Sequence, residues 1–159
     1  MPFNANAPDL GEQHFLRRCE HAQATVELAV MLPVLVILLL GALDFGRLFY
    51  MAMEVTDAAR VGAQYGAQNN ATAVNLLGME QAACNSMPDI TCTTGTNAIA
   101  TNFCQCSGTT VSCTNPGSCA SYVQNFVRVA TSATFTTIIS YPGIPHTVAL
   151  STSATMQVQ

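Results

Sequence analysis

Between Glu27 and Asp44 lie sixteen residues without charge, most of them Leu, Val, Ile, Ala and Met. At about 1.5 Å of rise per residue, a helix of that length spans roughly 24 Å, a little short of a ~30 Å hydrocarbon core. The apolar character resumes past Asp44 in Phe45, Leu48, Phe49, Tyr50, Met51 and Met53. There Arg47 can snorkel to the headgroups, and Phe49 and Tyr50 suit the interface. The pattern predicts a transmembrane helix. The alternative, a buried helix of a soluble core, needs more surrounding protein than this chain offers.

The polar and apolar pattern divides the rest of the chain. Residues 1–22 are polar and bear Pro and Asn, and read as an unstructured cytoplasmic leader. From Leu43 to Gln68 the membrane helix continues, with small residues recurring at three- and four-residue spacing (Ala52, Ala59, Gly62, Ala63, Gly66). Gly62 and Gly66 form a small-xxx-small pair that lets another helix approach closely; the plainer reading is two flexible glycines near a helix end. Asn69-Asn70 interrupts the pattern, and 72–86 reads as a second helix ending before Pro88. Residues 89–121 are Thr, Ser, Gly, Asn and Cys with little periodicity, a loop region. Residues 122–139 alternate and are β-branched, as strands are. Tyr141-Pro142-Gly143-Ile144-Pro145 reads as a turn, and 147–158 as the returning strand. A lone hairpin is marginal in water, so it must pack on the helix extension, with short strands from 90–115 as further support. The expected architecture is α+β: a single-pass N-terminal transmembrane helix extending into a small disulfide-bonded extracytoplasmic domain with a C-terminal β-sheet. Its parts are 1–22, 23–68, 69–121 and 122–159.

Composition narrows the function. Only 9% of the residues are charged, the net charge is −4, and the five basic residues are all Arg. No basic stripe exists to meet phosphates, which excludes nucleic acid as a partner. Six of the seven cysteines (Cys84, Cys92, Cys104, Cys106, Cys113, Cys119) fall within one stretch, and Cys19 precedes the apolar run. An even cluster beside a membrane segment reads as three disulfides in an oxidising compartment, with connectivity open. The competing metal site is weakened by the lack of a CxxC pair or a nearby His, so no metal or cofactor is expected. Arg17 and Arg18 before the run balance Arg47 and Arg60 after it, so the positive-inside count is a tie. The cysteine partition breaks the tie, with the N-terminus cytoplasmic and the C-terminal bulk outside. A cleaved secretory signal is the rival, but no small-x-small cleavage site follows the run.

No catalytic constellation emerges. His14, His21 and His146 are far apart, and neither a nucleophile elbow nor a glycine-rich phosphate loop is present. Asp44 and Arg47 at i,i+3 have the spacing of a structural pair. Two residues do not belong in a plain anchor. Glu27 sits among apolar neighbours, where an ionised group costs up to ~2.5–3.5 kcal/mol toward the helix centre and wants a partner. Pro33 withholds one helical hydrogen bond and favours a kink.

In their order, His21-Ala22-Gln23-Ala24-Thr25-Val26-Glu27-Leu28-Ala29, then Leu32-Pro33 and the run ending Gly41-Ala42-Leu43-Asp44-Phe45-Gly46-Arg47, resemble the TadE-like family, pilin-like proteins of tight-adherence (Flp) pilus systems. Residues 56–65 resemble its helix continuation, and Ser140-Tyr141-Pro142 and 150–156 its closing strands. The resemblance implies cleavage by a membrane prepilin peptidase at Ala22–Gln23, leaving Glu27 as the fifth residue of the mature chain. The sequence departs from the family at Ala22, where Gly is usual, and at Leu28, where an aromatic often follows the glutamate. It further implies a non-enzymatic minor pilin-like (pseudopilin) role, with the bilayer, other pilin-like subunits and pilus assembly machinery as partners, in the bacterial inner membrane or a surface pilus. The alternatives are a membrane-tethered binding module unrelated to filament assembly, and an unprocessed assembly scaffold.

Overall fold

The structure is a computed structural model that describes residues 10–159 apart from 115, 116, 118, 120, 121, 139–142 and 144, with backbone alone for 10–22. Helix α1 (Leu10–Ala67) runs through Pro33 and contributes to two compact units, residues 1–45 and 46–159. Its start at Leu10 makes residues 10–22 helical rather than unstructured, in keeping with their content of Leu, Glu, Gln, Arg and Ala, all good helix formers. Residues 1–9 of the expected leader lie outside the described residues.

In the first unit the described side chains form one helix whose apolar residues face outward. Exposure from Val26 to Leu39 ranges from 43% at Val36 to 67% at Val30. No described residue of this unit covers them.

The second unit adds helices α2 (Asn70–Ala73) and α3 (Leu76–Asn85) and strands β1 (Ala98–Cys106), β2 (Thr109–Val111), β3 (Gln124–Thr136) and β4 (Thr147–Gln157). The strands form an antiparallel sheet in the order β2-β1-β3-β4. Its core lies between the sheet and the last third of α1. Val55, Ala58, Ala59, Ala63 and the two glycines Gly62 and Gly66 fall at 3.6-residue spacing, and all are buried. Val127, Val129, Thr131, Ala133 and Phe135 meet them from alternate positions of β3. The buried Thr131 hydroxyl donates to the Val55 carbonyl at 2.7 Å, and the Gln159 amide to the Ala67 carbonyl at 3.1 Å. The second bond satisfies one of the orphan acceptors at the end of α1.

Three expectations change. The helix expected over 72–86 is two helices, because Asn69 caps α2 with a reciprocal bond to Thr72 and Asn75 accepts the Gly78 amide at 3.0 Å to start α3. An Asn side chain competes for backbone donors and so favours caps over helix interiors. Within 89–121, read mainly as loop with short strands from 90–115 as support, the strands are longer and paired as a hairpin. Strands β1 and β2 join through Ser107 and Gly108, both at positive φ (51° and 83°), the signature of a two-residue hairpin turn. Beyond the reach of β2, the Glu80 carboxylate accepts the Ala100 amide at 3.1 Å and covers that edge of β1. Finally, the close approach at Gly62 and Gly66 serves this chain's own α3 and β3. A Cβ on Gly62 would lie 2.9 Å from the Met79 carbonyl oxygen and 3.0 Å from Val129. One on Gly66 would strike the Met79 sulfur. The turn expected at 141–145 lies largely outside the described residues, although Gly143 has φ +87°.

These distances decide the sign of a substitution. Gly62→Ala gains about 1 kcal/mol of helix propensity, but its methyl meets a backbone atom that cannot rotate away, and overpacking costs ~1–3 kcal/mol. We expect net destabilisation of up to about 2 kcal/mol by chemical denaturation in detergent. An unchanged or higher midpoint would contradict the packing described.

Candidate functional site

The chain presents two regions of interest. The first is the apolar face of α1. Eleven large apolar side chains from Val26 to Leu39 are exposed. Burying such a side chain is worth about 1.5–3 kcal/mol, so even half that amount for each exceeds ~8 kcal/mol, comparable to the whole stability of a domain. Among the described residues α1 is the one helix long and apolar enough to cross a membrane. At the start of this face the Gln23 side-chain amide donates to Glu27 Oε1 at 3.3 Å, so the two lie one turn apart on the same side of the helix. Pro33 lies within α1 without ending it. The side chain of Ala22 lies outside the described residues.

The second region belongs to the unit that begins at Gly46. Tyr50 and Glu54, one turn apart on α1, face Asp89. The Tyr50 hydroxyl donates to Asp89 Oδ2 at 3.3 Å, and the Asp89 amide donates to Glu54 Oε1 at 3.2 Å. On the same groove the Arg47 guanidinium lies 5.5 Å from the centre of the Phe135 ring, a cation–π distance.

The disulfides explain how Asp89 is held there. Cys84–Cys92 closes a loop that carries Pro88 and Asp89 and returns it against α1. Cys104–Cys113 ties the open end of the β1–β2 hairpin, and Cys106–Cys119 its turn end, to the segment that follows β2. All six clustered cysteines are thus paired, and the side chain of Cys19 lies outside the described residues. Among the described residues no group of three or more His, Cys, Asp or Glu is arranged to hold a metal ion. His146 is occupied with the Thr137 hydroxyl at 2.9 Å.

Sequence reasoning singled out Gln23, Glu27 and the six cysteines, and the structure brings each set together. It did not find the Tyr50–Glu54–Asp89 group. The i,i+4 spacing of Tyr50 and Glu54 was visible, but Asp89 joins them only through a disulfide loop 35 residues later.

Residues 22–64 match the family model described as TadE-like protein. The TadE-like segment starts at the expected scissile bond and ends one turn short of the end of α1. It thus covers the exposed apolar face and most of the stripe that packs on the sheet, while all four strands and all three disulfides lie outside it. No curated protein and no solved structure matches the chain.

Two measurements follow from this geometry. Peptide mapping without reduction should recover the pairs Cys84–Cys92, Cys104–Cys113 and Cys106–Cys119, and any other connectivity contradicts the fold. Replacing Cys84 and Cys92 together by Ala should cost roughly 2–3 kcal/mol, the loop-entropy value for so short a ring. An unchanged denaturation midpoint would mean that the ring does not constrain the unfolded chain.

Proposed function

We propose that the chain is a minor pilin-like (pseudopilin) membrane protein that takes part in assembling a tight-adherence pilus, and that it does so without catalysis. What carries this reading is the coincidence of the TadE-like match with the outward apolar face of α1. A face of that kind needs either lipid or the helices of neighbouring subunits to cover it, and a pilin-like subunit uses both in succession. In this reading residues 1–22 stay in the cytoplasm, α1 crosses the inner membrane once, and the disulfide-bonded unit stands outside, where cysteines oxidise. A prepilin peptidase cuts between Ala22 and Gln23.

Cleavage gives Glu27 its role. The new α-amine at Gln23 is largely protonated at neutral pH, given a reference pKa of about 7.7–8.0. At ~4 Å and an effective dielectric near 20, two opposite charges attract by about 4 kcal/mol, enough to offset much of the desolvation of both. Gln23 and Glu27 already share one side of the helix, so the carboxylate can balance its own terminus or that of a subunit packed alongside. The bend that Pro33 favours sits below the middle of the apolar run, where subunits would adjust to one another.

N-terminal sequencing of membrane-purified protein should therefore begin at Gln23; Met1 or Pro2 at the terminus overturns the processing step. Glu27→Gln should insert normally, because losing a charge from an apolar segment eases insertion, yet pilus assembly should fall at least about tenfold, the equivalent of 1.4 kcal/mol. If correctly cleaved Glu27→Gln protein assembles normally, the tethered-module reading replaces this one.

A further inference from the structure

Beyond Asp89 the chain has a single charged side chain, Arg128. It stands on β3, an inner strand of the sheet, at a position that alternates with the buried Val127 and Val129 and so points away from the core. A charge kept only to discourage sheet-to-sheet pairing belongs on an edge strand such as β4. Arg128 is exposed, and among the described residues no carboxylate pairs with it. Its guanidinium makes one bond, from Nη2 to the neutral Ser153 Oγ at 3.1 Å. A guanidinium carries five N–H donors, so most of the fork remains for a ligand.

The strand register explains the hollow beside it. Ala130 lies opposite Ile99 of β1 and Ser153 of β4, with Arg128 and Ser132 before and after it on the same face of β3. The smallest side chain is thus in the middle of larger ones. The hollow has a volume of about 420 Å³, and Thr96 and Ser151 line it as well. Small-molecule sites start near 300 Å³. Its walls offer a guanidinium, several hydroxyls, and the apolar surface of Ile99, which is 47% exposed. Exposed Thr101, Thr134 and Thr155 continue the hydroxyl surface along the same face.

That combination specifies a chemistry. A carboxylate accepts two parallel bonds from an arginine fork. One guanidinium balances one negative charge, and the chain's net charge of −4 opposes a ligand of dense negative charge. The Ser and Thr hydroxyls both donate and accept, as the hydroxyls of a sugar do, and Ile99 can meet the C–H face of a sugar ring. We propose that this hollow binds a uronic acid residue of an acidic polysaccharide, with its carboxylate on Arg128, its ring hydroxyls on Ser132 and Ser151, and its C–H face on Ile99. The inference goes beyond the proposed function. The hollow lies wholly within the second unit, so the inference holds whatever covers the apolar face of α1.

Isothermal titration of the full chain in detergent with trigalacturonate, and with its uncharged methyl ester, tests the inference. The acid should bind at least about tenfold more tightly than the ester, a comparison that needs no variant. Arg128→Gln removes the fork, and Ala130→Val fills the hollow with a side chain suited to strands. Each should weaken binding of the acid at least about tenfold while leaving the denaturation midpoint in place. Arg60→Gln, which alters only an exposed pair with Asp57, should leave binding unchanged. No binding of the acid, equal binding of the ester, or binding that persists in both hollow variants overturns the proposal. Equal loss in Arg60→Gln would reveal general charge attraction, and displacement by equimolar acetate a site for any carboxylate. Either result overturns the sugar assignment.

Discussion

Helix α1 meets its surroundings in two ways along its length. From Val26 to Leu39 its large aliphatic side chains are exposed, while from Val55 to Gly66 its small residues are buried. The change follows from side-chain size. Leu, Val and Ile project far from the axis and gain most from a fluid solvent that wraps every side. Ala and Gly let a sheet and a second helix come within van der Waals distance of the backbone. Each portion of the chain is therefore suited to a different partner: lipid or other helices for the first, this chain's own strands for the second.

The second unit is small and polar, and charge contributes little to it. Its core consists largely of Ala, Val and Met, and beyond Asp89 the chain has a single charged side chain, Arg128. A core of small residues buries limited apolar area per residue, and domains in that position rely on covalent ties. The three disulfides supply them, each at a place where secondary structure is short or absent: after α3, and around the β1–β2 hairpin. Where hydrogen bonds cross between elements they settle specific backbone groups, as Thr131 does at Val55 and Glu80 at Ala100.

How much of this the sequence revealed depended on the size of the side chains involved. The apolar run was legible because it is built from bulky aliphatics, and β3 and β4 because Val, Thr and Phe alternate over a dozen residues. Strands β1 and β2 fall where short supporting strands were expected, but their bounds were not legible, because the buried positions of β1 are Ala98, Ala100 and Cys104, too small and too weakly apolar to set up a visible period. The stripe around Gly62 and Gly66 was visible, but its partner was not, since a small-xxx-small pair has no means of saying whether the approaching helix is its own chain's. Asn75 between Val74 and Leu76 was a readable cap, masked by apolar neighbours on both sides. Cysteine count indicated three disulfides; connectivity had to come from the fold. The groove at Tyr50 and Asp89 was beyond reach, because its halves are separated by 39 positions and joined only once Cys84–Cys92 has closed.

The central claim is that one helix has lipid around its first part and protein around its last. Spin labels read this directly. In Cys19→Ser protein with the six disulfide cysteines oxidised, a label at Leu35→Cys can be compared in liposomes with one at Gln64→Cys, a position exposed on the folded unit. The account predicts that dissolved oxygen relaxes the label at 35 more than a water-soluble nickel chelate does, and that the order reverses at 64. A label at 35 that responds chiefly to the nickel chelate would contradict it.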